Sequence, residues 1–188
     1  NIPVRILNTF EPDHPGTLIT AESTNGGRTV KAVTVIKNMS LITVSGPGMI
    51  GITGVAGRTF TAVARSGANV LMISQASSEQ SICFVVPSPD VPQVIKSLDD
   101  ELAREIERRD LERVKAEDDT VILAVCGSGM KGQPGVSGRL FGALGRERIN
   151  IIAIAQGSSE FNISLVVAQS DADRAVRAIH QEFELEKP

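Results

Sequence analysis

Two βαββαβ units packed through their sheets, an α+β fold, are what this sequence predicts, and three observations carry the prediction. The 188-residue chain repeats itself at an offset of 81 residues. Each copy reads strand, helix, strand, strand, helix from its hydrophobic spacing. Unused strand-like runs stand where each copy needs a sixth element.

The repeat is continuous. VSGPGMIGITGVAGRTFTAVARSGANVLMISQASSEQSICFVV, from Val44, lies without a gap over VCGSGMKGQPGVSGRLFGALGRERINIIAIAQGSSEFNISLVV, from Val125. Gly46, Gly48, Met49, Gly51, Gly54, Gly57, Arg58, Phe60, Asn69, Gln75 and Glu79 recur as Gly127, Gly129, Met130, Gly132, Gly135, Gly138, Arg139, Phe141, Asn150, Gln156 and Glu160.

IPVRILNTF opens the chain as a strand, and an opening Asn1 in place of Met is expected of a piece of a longer polypeptide. EPDHPGTLIT and AESTNGGR read as turn and linker, with His14 a turn residue. In the copies, LITV and VILAV are strands, each followed by its glycine loop. Val55, Phe60 and Val63, or Val136, Phe141 and Leu144, mark one face of a short helix. NVLMISQ and NIIAIAQ are strands, and SSEQ and SSEF turn the chain into the returning strands SICFVV and NISLVV. A second helix comes next, carrying Val91, Val94, Ile95, Leu98, Leu102 and Ile106, or Ala175, Val176, Ile179 and Phe183. ERVKA (112–116) closes the first unit. The second unit runs out at FELEKP, so TVKAVTVIKN (29–38) is expected to complete it, nesting one unit in the other. The units are then ferredoxin-like. Residues 1–28 form the lead-in and linker, 29–116 the first unit and 117–188 the second. The charge run 99–119 reads as a solvated helix, with Asp100/Arg104 and Glu105/Arg109 at pairing distance.

Composition narrows the function. A net charge of −3 without Trp or Tyr gives no basic stacking surface, so no nucleic-acid partner is expected. No run spans a bilayer, so no membrane partner is expected. Cys83 and Cys126 read as reduced thiols of a cytoplasmic protein. His14 and His180 stand far apart, and no metal site is expected.

Gly46, Gly48 and Gly51 spell G-x-G-x-x-G after a strand, the wording of a dinucleotide-binding turn. Two tests of context fail. ITG comes after Gly51 before helical spacing begins, and the next strand ends in Gln75 where an acid belongs. The copy at 127–132 ties the loop to a duplicated small module, and a nucleotide site is rejected. A glycine loop opening a helix still suits a carboxylate, because its free N–H groups and the helix dipole both attract an anion.

The pattern G-x-G-M…G-V-x-G-R-x-F…N-(V/I)-x-x-I-x-Q-x-S-S-E…I-x-x-V-V resembles the paired ACT domains of aspartokinase. It is most similar to threonine-responsive forms, including the bifunctional aspartokinase–homoserine dehydrogenases. NIPVRILNTFEPDHPGTLIT resembles the end of their catalytic domain. The resemblance implies a regulatory region that binds an end-product amino acid and lowers ATP-dependent phosphorylation of aspartate, as a homodimer through its ACT units. ATP and magnesium would belong to a kinase domain upstream, so neither catalytic residues nor a cofactor is expected in this chain. It further implies an effector site from Met49, Gly51, Ile52, Thr53, Gly54, Val55 and Ala56, with Asn69 and Val70 starting the strand that faces this loop, usually across an interface with another ACT unit, and Gln75 ending it. The second copy offers Met130, Gly132, Gln133, Pro134, Gly135, Val136, Ser137, Asn150, Ile151 and Gln156. Pro134 lacks an N–H, so the two sites are not equivalent.

Lysine-responsive members carry an Asp two residues after the Asn69 position. Here Leu71 and Ile152 stand there, and an ammonium group beside them would be left unpaired. Threonine needs a hydroxyl partner, which Gln75 or Gln156 supplies. Structural readings compete at several positions. Gly54, Gly57, Gly135 and Gly138 suit close helix packing, Met49 and Met130 suit loop anchors, and both Gln side chains suit hairpin caps. Arg58 and Arg139 are expected to pair with an acid or a helix end. Threonine is the favoured effector; a sensor from another biosynthetic enzyme, or lysine as effector, is the alternative, and a ferredoxin-like enzyme or nucleic-acid binder the third reading.

Overall fold

A computed structural model describes residues 2–20, 28–78 and 80–186. The lead-in forms an antiparallel pair, β1 (Val4–Ile6) and β2 (Thr17–Ile19). The second of these falls where the sequence reads as turn. His14 sits in the turn between them, its Nδ1 accepting from Gly16 N–H at 3.0 Å. The linker residues 21–27, and Glu79 among the recurring positions, lie outside the described residues.

The body begins with a 14-residue strand, β3 (Ala32–Ser45), succeeded by α1 (Val55–Arg65), β4 (Met72–Gln75), β5 (Ser81–Pro87), α2 (Val91–Glu101) and a short α3 (Ala103–Glu107). A second long strand, β6 (Lys115–Cys126), then leads into α4 (Val136–Arg146), β7 (Ala153–Gln156), β8 (Asn162–Ala168) and α5 (Ala172–Glu182). One antiparallel six-stranded sheet results, in the order β4-β5-β3-β6-β8-β7.

Its centre is a reciprocal exchange. The first half of β3 pairs with the second half of β6, from Ala32↔Cys126 to Ile36↔Ile122. The second half of β3 pairs with the first half of β6, from Leu41↔Glu117 to Thr43↔Lys115, and also with β5. Residues 32–36 therefore supply the sixth strand of the second unit, and residues 115–117 that of the first. The runs that read as separate strands, 29–38 with LITV and ERVKA with VILAV, are each continuous, and the division at 116/117 falls inside β6.

A kink lets each long strand change units. Asn38 (φ 59°) and Asp119 (φ 54°) are left-handed, flanking the register shifts of the β3–β6 ladder. Both are residue types that tolerate this conformation. Buried polar groups stitch the crossing: Ser40 Oγ donates to Asp118 Oδ1 at 2.6 Å, and Thr120 Oγ1 to the Met39 carbonyl at 2.8 Å.

Each unit packs its helices on one sheet face. Ile42, Val44, Ile82, Phe84 and Val86 meet Val63, Val94 and Leu98 in the first unit. Val121, Leu123, Val125, Ile163 and Leu165 meet Leu140, Leu144 and Ile179 in the second. The opposite faces close on each other through Met39, Leu41, Met72, Val85, Ile122, Ala153 and Val166. With both faces buried, these strands read as continuous apolar runs. The sheet curls until its two edges touch, Ser74 Oγ donating to the Ile154 carbonyl at 2.8 Å.

The charge run 99–119 is not one helix. Arg109 adopts φ 63°, the chain leaves α3 at Glu107, and residues 115–119 enter β6. Glu105 pairs with Arg58 on α1 and not along its own helix. The clamp is duplicated: Arg58 and Arg65 grip Glu101, and Arg139 and Arg146 grip Glu182. Arg139 also lies 4.6 Å over the Phe183 ring. Hydrogen bonds from these guanidinium groups hold the Glu101, Glu105 and Glu182 carboxyls below the usual Glu range and raise Arg58.

Two outcomes are expected. A Cβ on Gly46 would lie 2.4 Å from the Asp110 carbonyl oxygen, and one on Gly127 2.3 Å from that of Thr29. Gly46→Ala and Gly127→Ala each cost about 1–3 kcal/mol in urea unfolding. Gly145→Ala, with open space around it and Ala64 at the equivalent position, adds about 0.5–1 kcal/mol. The second outcome concerns pH. Because the folded pKa of Glu182 is depressed, its stabilisation is complete above the ordinary Glu pKa of about 4.3 and is lost as pH falls through the folded value. Glu182→Gln is therefore less stable than the native chain at pH 7, and the two stabilities converge on acidification.

Candidate functional site

The glycine loops owe their first two glycines to backbone crowding. Gly46 and Gly48 lie against Asp110 and Leu111, where the chain enters β6, and Gly127 and Gly129 against residues 28–30, where it enters β3. Their amides are used: Gly46 N–H donates to the Gln80 carbonyl at 3.0 Å and Gly48 N–H to that of Asp110 at 2.8 Å. The space beside Gly46, Gly48, Gly127 and Gly129 is filled by the backbone that leads into β6 and β3.

The later part of each loop is open. Met49 and Met130 are buried at the end of a single 3₁₀ turn and anchor each loop to its core. Gly51 and Gly132 (both φ 67°) turn the chain outward, and Gly54 (φ 92°) and Gly135 (φ 87°) are the N-caps of α1 and α4. These positive angles, and not close packing, explain Gly54 and Gly135, since a Cβ on either would meet nothing within 4 Å. A glycine N-cap offers no capping side chain, and neither first turn carries an acid. The first intrahelical bonds run from Arg58 N–H to Gly54 and from Arg139 N–H to Gly135, both 3.0 Å. The N–H groups of Val55, Ala56 and Gly57, and of Val136, Ser137 and Gly138, precede that ladder and have no acceptor within the helix. Each helix presents uncompensated positive potential at its loop.

A cleft lies at each of these helix starts. The first, about 260 Å³, is lined by Met49, Gly51, Ile52, Thr53, Gly54, Val55, Ala56, Gln75 and Ile82. The second, about 360 Å³, is lined by Met130, Gly132, Gln133, Pro134, Gly135, Val136, Ser137, Gly138, Gln156, Glu160 and Ile163. Volumes near 300 Å³ suit a small metabolite. Each cleft combines amide donors at one end, a Gln side chain ending the edge strand at the other, and an apolar wall of Met and Ile. In the second, Glu160 reaches in and accepts from Gly132 N–H at 2.6 Å.

Four positions expected to face a loop across an interface with another ACT unit lie outside the clefts of the single chain. Asn69, Val70, Asn150 and Ile151 precede their strands, which begin at Met72 and Ala153. Both Asn residues are exposed, and Val70 and Ile151 pack on the cores of their units. Leu71 and Ile152, expected to leave an ammonium group unpaired, face the cluster between the two sheet halves. Ile82, Ile163, Gly138 and Glu160 are the lining residues that the sequence reading omitted. Glu160 carried a signal, since it recurs with Glu79 across the repeat.

Arg58 and Arg139 point away into their clamps. Among the described residues no helix is long and apolar enough to cross a membrane.

Comparison with known proteins agrees with this architecture. The family pattern for the ACT domain matches residues 42–102 and 123–183. A chloroplastic bifunctional aspartokinase/homoserine dehydrogenase of Zea mays is 44% identical over all of this chain and 21% of its own length. The chain thus spans roughly a fifth of the curated relatives it matches. The aspartate kinase of Clostridium acetobutylicum superposes with a TM-score of 0.81 at 25% identity, over 97% of this chain and 41% of that one. The ligand-free regulatory subunit of aspartate kinase from Thermus thermophilus superposes at 0.70 with 26% identity, over 83% of this chain and 99% of that one. The duplicated glycine loops, the two ferredoxin-like units and these matches lead to one conclusion: the chain belongs to the ACT domain family, as a tandem pair of the kind found in aspartokinase regulatory domains.

Proposed function

We propose that this chain is the regulatory part of an aspartokinase and binds an end-product amino acid, threonine, in its two clefts. Binding there lowers ATP-dependent phosphorylation of L-aspartate, with ATP and magnesium held by a catalytic domain outside this chain. The observation that carries the reading is the pair of clefts, each setting unpaired helix N–H groups opposite a Gln side chain. The α-carboxylate sits on the N–H groups at 55–57 or 136–138, and the side-chain hydroxyl bonds Gln75 or Gln156.

Inhibition is a matter of linkage. Effector bound between loop and edge strand favours one arrangement of the units, and the shift equals its differential affinity for the two arrangements. A homodimer through the edge strands is part of the proposal, supported by the exposed Ile73 and Ile154, one on each. Cys83 and Cys126 are free thiols, which suits a reducing compartment such as the cytoplasm. Two observations favour lysine as a second reading. Leu71 and Ile152 do not face the clefts, and Glu160 gives the second one a carboxylate for a side-chain ammonium.

The test is thermal unfolding against threonine, lysine, methionine, isoleucine and homoserine, with ATP as control. Threonine at a hundred times its dissociation constant raises stability by about 2.7 kcal/mol per site. Gln75→Ala and Gln156→Ala each remove one site's share, and ATP gives no shift. Stabilisation by lysine alone would replace the effector and keep the sensor. Stabilisation by none of the amino acids would overturn the reading.

A further inference from the structure

The two clefts differ at their rims. In the second unit the loop and the β7–β8 turn are tied twice. Gly132 N–H donates to Glu160, and one residue along on each side Lys131 Nζ lies 5.7 Å from the centroid of the Phe161 ring. Glu160 (φ 57°) adopts a left-handed conformation that aims this turn back at the loop. The positions equivalent to Lys131 and Phe161 are Ile50 and Gln80, which provide neither a cation nor a ring. Pro134, replacing Thr53, fixes one further backbone angle in the same loop.

We infer that Lys131 and Phe161 form a strap that holds the second loop in its binding geometry, so that affinity at the second cleft, and not at the first, depends on them. A loop with Gly at two left-handed positions loses conformational freedom when a ligand orders it, and that loss subtracts from affinity. The strap makes part of the loss before binding. Neither residue touches the interior of the cleft, since both are absent from its lining. They act as positioning residues, and the inference rests on the reading of the clefts as amino-acid sites.

The experiment is calorimetric titration with threonine in two backgrounds of the full chain, Gln75→Ala to isolate the second cleft and Gln156→Ala to isolate the first. Lys131→Ala and Phe161→Ala are each expected to weaken binding in the Gln75→Ala background by about two- to fivefold, the factor carried by an exposed cation–π contact. The double variant weakens it no further than either single one, Lys131→Arg restores it, and the Gln156→Ala background is unaffected. Unchanged affinity in the first background, or equal weakening in both, would overturn the strap. Absence of binding by the native chain would overturn the effector reading instead. Hydrogen exchange then tests the strap alone: amides 131–133 and 135 exchange faster in Lys131→Ala without ligand if it exists, and at the native rate if it does not.

Discussion

The antiparallel pairing of β3 with β6 is the constraint on which the rest of the molecule depends. Each strand opens one unit with its C-terminal half and completes the other with its N-terminal half. Neither unit has all of its sheet without the other's strand. The left-handed residues Asn38 and Asp119, one in each strand, set the point at which the chain changes units. The segments leading into these strands, 110–111 and 28–31, run so close to the glycine loops that only residues without a side chain fit at Gly46, Gly48, Gly127 and Gly129. The same pairing therefore builds the core and positions the loops that edge both clefts.

That arrangement brings the edge strands of the two clefts into contact. β4 and β7 end in Gln75 and Gln156, lie at opposite ends of the strand order, and meet where Ser74 bonds the Ile154 carbonyl. Behind them Met72 and Ala153 share one apolar cluster with β3, β5, β6 and β8. A ligand that draws one edge strand toward its loop works against packing shared with the other. Close-packed interiors of this kind convert small local shifts into discrete rearrangements. The Arg–Glu clamps lie on the helix side, tying α1 to α2 and α4 to α5.

Much of this was legible in the sequence because the duplication doubled every signal. The 81-residue offset, the apolar periodicity and the missing sixth strand led to the two units and to the expectation that residues 29–38 complete the second. The loop residues 49–56 and 130–137 and both Gln side chains could be placed because a loop, a helix start and a strand end are local features. Long-range contacts were less accessible. Leu71 and Ile152 looked like cleft residues, but they stand just before their strands and pack, beside Met72 and Ala153, on the buried cluster between units. Asn69 and Asn150 come before their strands start, a boundary that hydrophobic runs fix poorly. The charge run 99–119 has helical spacing, yet residues 115–119 are drawn into β6 by pairing with β3. Charge periodicity does not register such pairing. Glu160 was visible as a recurring residue, and its role depends on a turn geometry that only coordinates provide.

The central claim is that the carboxylate of an amino acid binds at the open starts of α1 and α4. Backbone amide resonances tracked through a threonine titration test it most directly. The account predicts that Val55, Ala56, Gly57, Val136, Ser137 and Gly138 shift together with the side-chain amides of Gln75 and Gln156. Gly48, whose N–H already bonds the Asp110 carbonyl, stays in place. Shifts confined to other surfaces at saturating threonine would contradict it.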